Sequence, residues 1–216
     1  SLSDIPVICI QQPMNDVVHI NPEPQGDAGD VAYILFTSGS SGTPKGVLQT
    51  HENILHHVQT YANALRISPA DRLSLFSNYA FDASIQDIFG ALLSGASVHP
   101  VDLRNEEQTG HSSLALKQRG ITVLHATPTV FRHMLYDDEV TLPAVRLVVL
   151  GGEIARSHDL QLFNERFVPS AVFVNGYGLT ESTVNLQYFA DQSTLLTGKA
   201  VPAGSPVADT LIRLID

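Results

Sequence analysis

The sequence predicts an α/β fold, a mostly parallel sheet flanked by helices. Three observations carry that prediction. Short apolar runs alternate with longer stretches of helical period along most of the chain. One run, 145–150, is nearly uniform in apolar character, as a strand covered on both faces should be. At 216 residues, the chain can bury a substantial core as one large domain or two small ones.

Taken in order, strands are expected at 5–10 and 31–36, the second read as buried. Between them, 21–30 carries two prolines, two glycines and three acids and reads as a surface loop. Helical period then covers 51–65, followed by a strand at 73–76 and helices at 83–93 and 113–119. The alternation continues with a strand at 121–125, a helix at 129–136, the strand at 145–150, a helix at 158–167 and a strand at 171–174. Beyond Gly178 shorter strands, 184–189 and 211–214, are divided by glycine and proline turns. The expected division is an α/β core over 1–183 holding a nucleotide and acyl pocket, then the start of a more β-rich segment over 184–216, a second sheet or barrel-like appendage. The chain opens without methionine and stops just after a strand-like run, so it reads as a piece of a longer protein.

Open parallel sheets bind ligands beyond the carboxyl ends of their strands. Five places are therefore expected along one rim: 37–46, Phe81-Asp82, His125, Gly151-Gly152-Glu153, and 175–181. The first reads Thr37-Ser38-Gly39-Ser40-Ser41-Gly42-Thr43-Pro44-Lys45-Gly46. Its glycines let main-chain N–H groups converge on an anion, its hydroxyls add short donors, and Lys45 supplies the one full positive charge. It is not a Walker A loop, because Gly46 follows the lysine where that motif needs Ser or Thr. A Gly/Ser-rich stretch of this kind also reads as a flexible linker. The Pro-Lys-Gly ending, which stiffens one side, favours a phosphate-binding loop.

The last place reads Asn175-Gly176-Tyr177-Gly178-Leu179-Thr180-Glu181. Alone it is compatible with a turn tyrosine followed by a threonine N-cap on a short helix. Together with the phosphate loop and Phe81-Asp82-Ala83-Ser84, it resembles the adenylate-forming ligases. Closest in pattern are the amino-acid-activating adenylation domains of nonribosomal peptide synthetases. Thr37 to Gly46 match that family's phosphate loop, and Asn175 to Glu181 match its Asn-x-Tyr-Gly-x-Thr-Glu motif. The resemblance implies the layered large subdomain of those enzymes and their reaction. A carboxylate attacks the α-phosphate of ATP, giving an acyl-adenylate and pyrophosphate, and the acyl group passes to a phosphopantetheine thiol on a carrier domain.

It also implies site residues. Lys45, Thr180 and Glu181 would be catalytic. Thr37, Ser38, Gly39, Ser40, Ser41, Gly42, Thr43 and Lys45 would hold phosphate, and Thr180 would contact it. Tyr177 would stack on adenine, near Gly151, Gly152, Asn175 and Gly176, and Glu181 would bind Mg²⁺, a hard ion that prefers oxygen ligands. Phe81, Asp82, Ala83, Gln86, His125, Val149, Gly151, Gly176, Val184 and Asn185 would line the acyl pocket. Asp82 would pair with an α-ammonium group; read locally, it is equally an N-cap for the helix that follows. His125 also reads as an ordinary core or rim histidine. Gln86 stands where many relatives carry an apolar or aromatic side chain, and a medium-sized or polar substrate side chain is expected.

Other readings remain: an acyl-CoA or aryl-acid ligase, which would not need Asp82, or a non-catalytic structural remnant. The family's ribose-gripping aspartate, hinge and small subdomain with its catalytic lysine have no counterpart in the chain, so the stretch alone is expected to be inactive. The histidines at 51, 56 and 57 are five and six apart rather than four, so they read as a solvated helix face and not as a zinc motif.

Composition excludes other classes. Twelve Lys+Arg against 22 Asp+Glu leave a net charge of −10, which repels a nucleic-acid backbone. The single cysteine, Cys9, cannot build an internal disulfide framework and fits a reducing compartment, so the cytoplasm is expected. No apolar run approaches the ~18 residues that span a bilayer.

Overall fold

The computed structural model describes residues 23, 26–38, 42–102, 112–135 and 141–215. The strand expected at 5–10, residues 21, 22, 24 and 25 of the loop at 21–30, the loop residues Gly39, Ser40 and Ser41, and Tyr136 lie outside them.

Two sheets form. β1 (Val31–Thr37) and β2 (Lys45–Thr50) make an antiparallel pair in which Thr37 stands opposite Lys45. The main sheet has seven strands in the order β4-β3-β5-β6-β7-β8-β9. They are β3 (Arg72–Leu75), β4 (Ser97–Pro100), β5 (Val123–Ala126), β6 (Leu147–Leu150), β7 (Val172–Leu179), β8 (Thr183–Ala190) and β9 (Ser205–Pro206). Pairing is parallel from β4 to β7 and antiparallel from β7 to β9.

Helices cover both faces, and the strand alternation decides which core each side chain enters. Leu124, Val148 and Phe173 pack with Leu116, Phe131 and Phe163. Those three come from α3 (Ser112–Gln118), α4 (Pro128–Leu135) and α5 (Ser157–Arg166). Val123, Val149 and Val174 point the other way and meet Tyr61, Leu65 and Ala91. Those belong to α1 (His51–Leu65) and α2 (Asp82–Leu92). Each fully buried side chain of this size contributes about 1.5–3 kcal/mol.

One polar clamp ties the sheet to α1. Arg146 holds Asp71 with Nε and Nη2, each 2.8 Å from a carboxylate oxygen, and donates to the carbonyls of Leu65 and Arg66. It thereby satisfies helix-end acceptors that α1 cannot satisfy internally. The other end of α1 is capped by Thr50 Oγ1, which accepts from Asn53 N.

Several expectations are corrected. The strand at 31–36 exists but is neither buried nor part of the parallel sheet: only Leu35 is buried, while Ile34 and Phe36 are 51% and 71% exposed. A run that is apolar on both faces does not reveal which sheet it joins. β2, β4 and β9 were missed, because Lys45–Thr50 carries few apolar residues and the other two are short sheet-edge segments. The strand at 184–189 opens no second sheet; β8 extends the main one through an antiparallel hairpin with β7. Residues 211–214 form no strand, and Leu211 and Leu214 are exposed.

Candidate functional site

A cavity of about 470 Å³ opens where the parallel strands end and the β7–β8 hairpin begins. Its walls follow from the topology. The segment after β3 brings Phe81, Asp82 and, on α2, Ala83 and Gln86; β5 brings His125; β6 and its following turn bring Val149, Gly151, Gly152 and Glu153; the hairpin brings Gly176, Gly178, Thr183 and Val184. Of the residues expected around an acyl group, only Asn185 is absent from the wall. Its amide donates to Ser182 Oγ instead, and Gln187, two residues along β8, lines the cavity.

The glycines keep this space open. A Cβ on Gly151 would stand 3.4 Å from the Gly176 carbonyl and 3.8 Å from His125 Nε2. Gly152 adopts a φ of 78°, a left-handed turn that a side chain resists.

Asp82 does not cap α2. The helix begins at Asp82, with Phe81 in the cap position, and Asp82 Oδ1 accepts from the adjacent Ala83 N at 2.9 Å. Its carboxylate remains on the cavity wall. Tyr33 of β1 feels it: burial, and then the negative charge of Asp82, push the phenol above its usual range. The β1–β2 hairpin therefore lies beside the cavity.

A second contact fixes the hairpin more tightly. Gln49 of β2 is 3% exposed, and its Nε2 donates to the carbonyls of Thr180 and Glu181 at 3.1 and 3.2 Å. Its Oε1 accepts from Asn53 Nδ2, which locks the amide orientation. The strand that starts at Lys45 is thus bonded to the turn carrying Thr180 and Glu181, although the two are more than 130 residues apart in sequence. That turn closes a β-hairpin and no helix follows it. Among the other expected nucleotide contacts, Thr37 closes the β1–β2 pair, Ser38 and Thr43 are exposed beyond it, and Gly42 has a φ of 79°. Tyr177 sits on β7, 51% exposed and outside the cavity wall; Asn175 is buried and donates to the Pro202 carbonyl.

Besides Gln49, the sequence does not single out His57, Tyr61, Asp87 or Gln187, which are buried in or beside the cavity wall. His57 is not on a solvated face. It shares the buried stripe of α1 with Ile54, Val58, Tyr61 and Leu65, a spacing that could have revealed it. Burial and then the nearby His56 charge lower its pKa to about 4, so it is neutral near pH 7. Asp87 is fully buried one turn along α2 and meets His125 Nδ1 at 2.8 Å.

Known proteins are similar to this chain in sequence and fold. Bacitracin synthase 3 of Bacillus licheniformis is 35% identical over 204 residues, covering 91% of this chain and 3% of that protein. Gramicidin S synthase 1 of Brevibacillus brevis is 32% identical, covering 87% of this chain and 16% of that one. Among solved structures, the Vibrio cholerae adenylation domain AlmE in complex with glycyl-adenosine-5'-phosphate superposes with a TM-score of 0.74 at 25% identity, covering 84% of this chain and 34% of that one. The Klebsiella oxytoca NpsA N-terminal subdomain in complex with 3-hydroxybenzoyl-AMSN gives 0.70 at 27% identity, covering 88% and 46%. The chain therefore spans a small part of the synthetases it resembles and less than half of each adenylation structure. The family model for AMP-binding enzymes matches residues 6–216, and with the cavity, the hairpin and the Thr180–Glu181 turn brought together along that same stretch, the chain belongs to the AMP-binding enzyme family.

Proposed function

We propose that the protein activates an amino acid as its acyl-adenylate at the expense of ATP and passes the acyl group to the phosphopantetheine thiol of a carrier domain, as in nonribosomal peptide synthesis. The observation that carries this reading is the Gln49 bridge, which bonds the phosphate-loop hairpin to the Thr180–Glu181 turn beside an acyl-sized cavity. In the reaction a carboxylate oxygen bonds to the α-phosphorus of ATP, the bond to the bridging oxygen breaks, and pyrophosphate leaves with that electron pair. Such chemistry depends on positioning and on neutralising charge.

Lys45 supplies positive charge at the base of the loop, with Thr37, Ser38, Gly42 and Thr43 beside it. Thr180 contacts phosphate from the opposite turn, and Tyr177 offers an exposed ring for the adenine. Glu181 fits Mg²⁺, which is commonly held by one or two carboxylates together with substrate phosphates. Among the described residues no group of three His, Cys, Asp or Glu side chains is placed to hold a metal ion by itself. When bound, the ion neutralises phosphate charge. Asp82 takes the α-ammonium group of the amino acid, which favours this substrate over a fatty or aryl acid, because a charge half-shielded from water needs a partner. Among the described residues no helix is long and apolar enough to cross a membrane; the cytoplasm is proposed from the lone cysteine.

In the full-length protein, an amino acid should drive exchange of labelled pyrophosphate into ATP. Lys45→Ala should slow that exchange about 100-fold, the scale of losing one preorganised group aimed at developing charge. Exchange at the wild-type rate in this variant would remove the lysine from the mechanism. Asp82→Ala should erase the preference for an amino acid over its deaminated analogue. If the wild type already uses both equally, the ammonium anchor is wrong.

A further inference from the structure

We infer that Asp87 fixes the His125 ring so that Nε2 presents a hydrogen-bond donor to the acyl cavity, and that the amino acid activated here carries an oxygen acceptor at the end of its side chain. The inference rests on the proposed function and names the substrate class of that site.

The ring is held from both sides. The backbone N of His125 donates to Ser74 Oγ at 3.0 Å, anchoring β5 to β3, and Nδ1 donates to Asp87 Oδ1 at 2.8 Å. Asp87 is fully buried and His125 is 8% exposed, so neither can swing into solvent. The other ring nitrogen is unspent: Nε2 has no partner among the described residues, and it borders the open space above Gly151. One nitrogen is committed to orientation and the other faces the ligand.

Whether Nε2 donates or accepts depends on the charge of the ring. The charged and titratable groups around it are Asp87 from α2, Asp82 at the start of α2, His57 and Tyr61 from α1, and Glu153 from the turn after β6; the cavity wall carries no Lys or Arg. Burial alone would lower the His125 pKa, but the charge and hydrogen bond of Asp87, together with the charge of Asp82, reverse that and raise it; burial also raises the Asp87 pKa against the pull of His125, so the buried pair shares one proton between Nδ1 and Oδ1. His57, partly through the positive charge of His125, stays neutral. The second oxygen of Asp87 is buried with no partner, so His125 is the group that offsets this carboxylate. With that proton between Nδ1 and Asp87, Nε2 carries hydrogen whichever partner keeps it, and this donor borders a mixed wall in which Phe76, Val130 and Val149 stand beside Gln86, Thr127 and Gln187. A side chain that fills the cavity and shuts out water without offering an acceptor would leave this donor unpaired, which is costly, and an acceptor on the substrate removes that cost.

The Asp87–His125 pair is neutral as a whole, so it does not by itself separate a carboxylate from an amide carbonyl. Both supply the oxygen. A pocket of this kind rejects isosteres lacking the acceptor far more strongly than it would reject a missing methylene.

The test uses the full-length protein and pyrophosphate exchange across a panel of amino acids that includes the near-isosteric pair asparagine and leucine. Aspartate, glutamate, asparagine or glutamine should lead, with at least about 100-fold preference over the alkyl isostere. An acidic leader identifies a carboxylate acceptor and an amide leader a carbonyl, and either supports the inference. Asp87→Asn, which keeps the volume, should collapse the preference below about tenfold. It should also move the His125 ring nitrogen shifts from the cationic to the neutral pattern at pH 7.5, a change that simple loosening would not produce. Should that variant fail to fold, the wild-type ranking and the ring signature decide. An alkyl, aromatic or cationic leader, or unchanged preference in folded Asp87→Asn, overturns the inference while leaving adenylation standing. Exchange with no acid at all overturns the proposed function and this inference with it.

Discussion

Gly178→Ala is expected to cut pyrophosphate exchange about 1000-fold while leaving the parallel core folded. A Cβ at this position would lie 1.7 Å from the Thr183 carbonyl oxygen, 2.5 Å from its carbon and 2.8 Å from Val184 Cα. All three are backbone atoms, so no rotamer change relieves the clash. The residue sits where the β7–β8 register shifts, opposite Val184, and Thr183 already holds a φ of 56°, which few non-glycine residues adopt. Alanine must therefore open the end of the hairpin. That displaces Thr183 and Val184 from the cavity wall and, through the short turn, the two carbonyls that accept from Gln49. A misplacement of about 1 Å can cost 100-fold in rate, and here the cavity wall and the Thr180–Glu181 turn move together. Gly29→Ala is the matched control, since a Cβ there meets nothing within 4 Å. Exchange within tenfold of wild type in Gly178→Ala, with an unchanged circular dichroism spectrum, would mean that the hairpin end plays no part in activation.

The positions that carry this prediction were legible to different degrees. The two motifs and their order stood out in the sequence, as did the helices at 51–65 and 83–93, because hydrophobic period and loop composition are local signals. The pairing partner of β1 was not legible. Val31–Thr37 is apolar on both faces, and only the antiparallel register with Lys45–Thr50 shows that the strand before the Gly/Ser-rich stretch belongs to a two-stranded pair rather than to the parallel core. Gln49 was likewise invisible, since its value lies in two carbonyls far along the chain. Asp87 and His57 show the same limit from within a helix. Their polar side chains argue for solvent, yet Ser84, Gly90 and Ala91 make one face of α2 small enough to bury a carboxylate against β5. Such sites follow from tertiary packing overriding local preference, the usual place for sequence reasoning to fail.

Acid should weaken the fold in two stages, each assignable to one residue. His57 is buried and keeps a pKa of about 4, below the ordinary 6.5 of the unfolded chain. As pH falls below 6.5 the unfolded state takes up a proton that the folded state refuses, so roughly 3 kcal/mol of stability drains away until pH approaches 4. Asp71 acts lower. Burial would raise its pKa, but hydrogen bonds from Arg146, Thr122 and the Ser68 backbone, with the Arg146 charge, outweigh burial and hold it at about 2. Its contribution, roughly 2 kcal/mol, is present above the ordinary carboxylate value of 3.8 and is lost as pH falls through about 2. His125 works with the opposite sign: its raised pKa adds stability on the acid side that is lost as pH rises, so it cannot produce either stage. Urea midpoints measured from pH 7.5 to 2.5 separate the two residues. His57→Phe should flatten the first stage only. Arg146→Ala should cost about 3 kcal/mol at pH 7, because it strands a buried carboxylate and leaves the Leu65 and Arg66 carbonyls without their donor. It should also erase the second stage, since Asp71 then titrates near or above its unfolded value. A second stage that survives in Arg146→Ala would mean that the guanidinium does not hold Asp71 ionised, and that the link from α1 to the sheet depends on Thr122 and Ser68 instead.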